Sequence, residues 1–150
     1  MKFIVDKSYW NLFPDSKLGV LLLKNIQNGE STDEIKSILK EANNEAKKYL
    51  TKEILSENPV IAVWREAYKK FKTKKGVRSS IEALLKRVNS GNPVSSINKF
   101  VDIYNSASLK YGLPCGAEDL DSFVGDLKLT ITQGGDKFIP LGSDEEDNTL

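Results

Sequence analysis

The sequence contains no histidine. Imidazole is the side chain that titrates nearest neutrality, so its absence excludes Ser-His-Asp and Cys-His nucleophile pairs, a histidine general base and histidine metal ligands. Any chemistry falls to carboxylates, lysine, hydroxyls, backbone dipoles or groups on the substrate itself. A single cysteine, Cys115, excludes an intramolecular disulfide and a cysteine zinc cluster, and it agrees with a reducing compartment. Long apolar runs are also missing: the longest, residues 18–23, is far short of the roughly 18 residues that a membrane span needs. The first apolar stretch breaks at Asp6 and Lys7 before a signal-peptide core develops. The expectation is a cytoplasmic protein with no membrane partner. Neither Lys75-Gly76 nor Gly134-Gly135 has the spacing of a phosphate-binding loop, and no cofactor is expected.

What is present suits one globular domain over residues 1–142, followed by an acidic tail, residues 143–150, expected to be disordered. The net charge is only +1, but it is unevenly spread. Between Arg65 and Arg87 nine cations stand against two acids, Glu66 and Glu82, and Trp64, Tyr68 and Phe71 are interleaved with them. Basic residues among aromatics make an electrostatic footprint for RNA, with Arg65, Lys69, Lys70, Lys74, Lys75 and Arg78 as candidate phosphate contacts and no DNA expected. A solvated helix end and loop has the same composition.

Hydrophobic periodicity supplies the elements. Residues 2–5 read as a strand, a short helical stretch surrounds Tyr9 and Phe13, and the unalternating run 18–23 suits a strand covered on both faces. Ser31-Thr32-Asp33-Glu34 reads as a capping box opening a long helix with Ile35, Ile38, Leu39, Ala42 and Ala46 on one stripe. Asn58-Pro59 starts a second helix and Ser79-Ser80-Ile81-Glu82 a third. Ser95 or Ser96 is expected to cap a fourth over residues 97–111, ended by Gly112 and Pro114. Leu127, Leu129 and Ile131 alternate with polar residues as a strand, and a turn at residues 133–136 leads to Phe138, Ile139 and Leu141 as its hairpin partner. The fold class is α+β, about four helices packed on a mixed or mainly antiparallel sheet.

The fourth helix carries Asn98, Asp102 and Asn105 at i, i+4 and i+7, a stripe of short polar side chains without lysine or arginine. Such a stripe is either a hydrogen-bonded structural network or the lining of a polar site. The loop after it offers Pro114, Cys115 and Gly116 and the carboxylates Glu118, Asp119 and Asp121. Cys115 has no imidazole to activate it, and the carboxylates lack the spacing of a calcium loop, so no metal site is expected.

The residues 79–87, Ile97-Asn98-Lys99-Phe100-Val101-Asp102-Ile103-Tyr104-Asn105, the loop 109–119 and the stretch 125–142 resemble the B3/B4 domain of the phenylalanyl-tRNA synthetase beta subunit. The likeness is specific over residues 78–142, extends more weakly over residues 2–71 to the free-standing bacterial form, and implies a chain truncated at its C-terminus. In the synthetase this domain edits tyrosine wrongly attached to tRNA. The resemblance implies a substrate pocket of Asn98, Asp102, Tyr104, Asn105, Pro114, Gly116 and Asp119. Asn105 and Asp102 match the family's Val-Asp-x-Thr-Asn motif, with Tyr104 in place of its threonine, and Gly116 and Ser95 replace a pocket histidine and an arginine. The implied function is a tRNA-binding, aminoacyl-tRNA-editing-like domain, an ester hydrolase without histidine whose catalytic residues are unknown. The implied partners are tRNA or aminoacyl-tRNA and an amino-acid ligand. The alternative is a non-catalytic RNA, amino-acid or protein binding module.

Overall fold

Short polar side chains that start helices, and apolar residues at helical spacing behind them, set most of the observed elements. The computed structural model describes residues 1–73 and 75–139. Within these, the chain forms two compact units: one of residues 23–71 and 76–118, the other of residues 1–22, 72–73, 75 and 119–139.

The larger unit is helical. Helix α2 (Asp33–Glu45) is capped by Thr32, whose hydroxyl accepts from the Ile35 amide, and it tightens into a 3-10 turn, Ala46–Tyr49. Helix α3 (Pro59–Tyr68) begins with proline at its first turn, where a missing N–H costs nothing. Helix α4 (Ser80–Asn89) is capped by Ser79 and helix α5 (Lys99–Tyr111) by Asn98. Leu39, Ala46, Ile61, Ile81, Leu85 and Leu109 meet in the core, the last five with almost no solvent exposure.

Helices α2 and α5 run parallel. At their N-terminal ends Ser31 Oγ donates to Asp102 Oδ2 at 2.5 Å, and at their C-terminal ends Tyr49 Oη donates to the Lys110 carbonyl at 2.8 Å. Gly112 closes α5 with a φ of 67°, and a Cβ built there would stand 2.9 Å from the Tyr49 ring and 3.1 Å from Val60. Glycine is required twice over, by the left-handed backbone and by the lack of room.

In the smaller unit, β1 (Phe3–Val5) pairs in parallel with β2 (Leu127–Leu129), Ile4 opposite Lys128. Asp126 Oδ1 accepts from the Lys2 amide at 2.7 Å and fixes the register's start. Helix α1 (Lys7–Leu12) is capped by Asp6, which accepts from the Ser8 amide at 2.9 Å. The backbone and hydroxyl of Ser8, and then Lys128 at 3.3 Å, hold the Asp6 carboxyl down to about 2.

The α+β class stands, with several corrections of detail. The described sheet is two parallel strands, β1 and β2, and Phe138 is an isolated bridge residue rather than part of a strand. Residues 18–23 form no strand and lie open to solvent, with Leu21 80% exposed, because no described strand offers them a partner. The caps shift as well: Thr32 and Asn98 take the capping positions, and Ser31 and Ser96 turn instead to Asp102. Leu141 and the tail 143–150 lie outside the described residues. No helix among the described residues is long and apolar enough to cross a membrane.

Candidate functional site

The polar stripe of α5 divides into three different roles. Asn98 is the N-cap, its Oδ1 accepting from the Val101 amide at 3.0 Å. Asp102, one turn on, has no solvent exposure and accepts from Ser31 Oγ and Ser96 Oγ, each at 2.5 Å, and from the Ile97 amide at 2.8 Å. Burial alone pushes this carboxyl upward, but the hydroxyls of Ser31 and Ser96 and the amides of Ile97 and Asn98 outweigh it and hold the group below its ordinary value. Asp102 is therefore a carboxylate whose lone pairs are committed to fastening the segments before α2 and α5 to the helix.

Asn105 differs from both. It is only 9% exposed, yet its carboxamide has no hydrogen-bond partner among the described residues. No polar side-chain atom among those residues is both sealed and unpartnered, so the amide of Asn105 keeps a narrow contact with solvent. An amide with no protein partner and only a narrow contact with solvent is open to a hydrogen-bonding ligand. Tyr104 beside it is half-buried, and its hydroxyl is likewise unpartnered among the described residues.

The loop after α5 is anchored where Ser108 Oγ donates to the Leu113 carbonyl. Pro114 and Cys115 are half-buried, and Gly116 is exposed with open space where a side chain would stand. Burial pushes the Cys115 thiol up, away from the thiolate that a nucleophile needs. Asp119 opens the smaller unit, where it caps the turn Leu120–Ser122 by accepting from the Asp121 amide at 3.1 Å. No group of three or more metal-ligating side chains occurs among the described residues.

The basic segment is partly committed internally. Arg65 makes a two-pronged contact with Glu82, Nη2 to Oε1 at 2.5 Å and Nε to Oε2 at 3.2 Å, and Glu82 is only 3% exposed. Lys69 pairs with Glu66 at 2.5 Å. Arg78 and Lys75 are exposed without an ion pair among the described residues, Lys70 is exposed, and Lys74 lies outside those residues.

Of three buried polar residues that fasten backbone segments, the sequence reading missed Asn43 and took Asn58 and Ser31 only as helix starts. Asn43 pairs with both backbone groups of Val94, at 2.8 and 3.1 Å, and Asn58 Oδ1 accepts from the amides of Thr51 and Lys52. Ser31 is the third. An asparagine amid the apolar stripe of α2 was the one available signal, since such a residue must find partners inside.

The larger unit is a helical core that carries a helix with one unengaged amide, the smaller unit holds the parallel strand pair, and the chain is of α+β class. A family model, the B3/4 domain, matches residues 63–150, and the chain belongs to that family, which is associated with the phenylalanyl-tRNA synthetase beta subunit. The comparisons with curated proteins and with solved structures give no significant match.

Proposed function

We propose that this chain is a tRNA-binding domain of editing type, in which the Asn105 carboxamide meets the aminoacyl end of the ligand. The observation that carries the reading is the unpartnered, nearly buried amide of Asn105, inside the stretch that the B3/4 family model matches. Arg78 and Lys75 supply exposed charge for the phosphate backbone. The chemistry open to such a site is narrow. Asp102 is committed to its hydrogen bonds, Cys115 is held as a thiol, and the chain has no histidine, so no side chain named here serves as a general base. Ester hydrolysis would use a water oriented by Asn105 and loop amides, with the terminal ribose hydroxyl of the tRNA as the internal base.

The same observations favour a second reading, a module that binds tRNA or an amino acid without reaction, because Gly116 stands where the family's pocket histidine would be. One experiment separates them. Purified protein is mixed with tyrosine-mischarged and correctly charged phenylalanine tRNA, and both ester loss and retention on filters are followed for the natural chain and Asn105→Ala. Faster loss of the mischarged ester, abolished in Asn105→Ala, is the result expected of editing. Retention without ester loss, weakened by the substitution, identifies the binding module. If neither tRNA is retained or hydrolysed, and free phenylalanine and tyrosine leave the melting temperature unchanged, both readings are wrong.

A further inference from the structure

The outer face formed by α2 and α5 leaves Ile38, Ile103 and Tyr111 exposed, and its side chains are arranged in a self-complementary way. A groove of about 240 Å³ runs between the helices, floored by Ala42 and Ala107 and flanked by Ile38 and Ile103. These two isoleucines are 48% and 49% exposed, and Tyr111 at the groove's end is 65% exposed. Charge is sorted by helix: Glu41 and Glu45 stand on the α2 wall and Lys110 on the α5 wall. Glu45 also reaches Lys48 at 3.7 Å, a long contact that leaves most of its field available.

We propose that this face binds a second copy of the chain. Because α2 and α5 run parallel, a two-fold axis lying along them places α2 of one copy over α5 of the other at the same height. The acidic wall then meets the basic wall twice, and Ile38 faces Ile103 of the other copy. The alternative two-fold, across the helices, stacks acid on acid. An isologous contact of this kind is the commonest way in which identical chains associate. Each helix has 13 residues and spans about 20 Å, so the face covers roughly 400 Å² per copy. The two copies together bury about 800 Å², less than the roughly 1,200 Å² of stable interfaces, so a weak, transient dimer is expected.

The proposal does not rest on tRNA binding. Its test is sedimentation of the full chain from about ten to several hundred micromolar, after ribonuclease treatment, with circular dichroism to verify folding. A reversible dimer is expected, weakened at least about tenfold by Ile103→Glu, a change at a half-exposed position that the fold tolerates. Lys110→Glu should also weaken it, and adding Glu41→Lys should restore it by returning opposite charges across the axis. A chain that stays monomeric throughout, or a dimer indifferent to these substitutions, would overturn the proposal.

Discussion

At the scale of single residues, chemically similar groups do different work because their surroundings differ. Asn98 and Asn105 sit two turns apart on one helix, but the first satisfies an amide of its own helix and the second satisfies none. Asp102 holds three donors in a solvent-free position. Asp102→Asn would set an amide NH₂ against those donors and is expected to cost about 2–4 kcal/mol, read from urea denaturation at constant m-value. The sign of the pH effect follows from the direction of its shift. A carboxyl held below its ordinary value in the folded state adds stability above the unfolded value near 3.8 that is lost as pH falls through the folded value. Asp6, held at about 2, acts in the same sense in the smaller unit. Stability should thus decline from about pH 4 toward pH 2, and Asp102→Asn should flatten that decline. Asn105→Ala removes no internal hydrogen bond and should leave the melting temperature within about 2 °C of the natural value.

At the scale of elements, helices were legible where local chemistry decides them. Proline at the head of α3 and Ser79 at the head of α4 need nothing beyond their own turn, and the sequence reading located both. The caps of α2 and α5 were misplaced by one to three residues because Ser31 and Ser96 are drawn away by Asp102, a partner far along the chain from Ser31. In the same way the carboxylate of Glu82 leaves its capping box for Arg65. The parallel pairing of β1 with β2 joins segments at opposite ends of the chain and has no turn signal to announce it. Of the candidate site, the stripe itself was visible as a spacing, but its division into cap, anchor and unengaged amide depends on neighbours that spacing does not reveal. The helix end at Gly112 is a further case of local need meeting distant contact. Gly112→Ala forces both a disfavoured φ and a collision with Tyr49, and a loss of about 2 kcal/mol or more is expected in thermal or urea unfolding.

At the scale of the whole molecule, a charge near zero conceals a basic segment, and that segment is weaker than its count of lysines and arginines suggests, since Arg65 and Lys69 already face carboxylates. If tRNA is the partner, converting Lys69, Lys70, Lys74 and Lys75 together to glutamate should lower affinity and flatten its salt dependence, by about 0.7–0.9 in the logarithmic slope for each phosphate no longer neutralised. Titration of labelled tRNA at several salt concentrations measures this directly. The water-facing segment 18–23 has a different consequence. Apolar, proline-free and open to solvent, it is the sort of sequence that stacks against copies of itself, with Lys17 and Lys24 at its borders acting as charged gatekeepers. Prolonged storage at high concentration should therefore yield thioflavin-positive fibrils, and Leu21→Lys should delay their onset without altering the folded molecule.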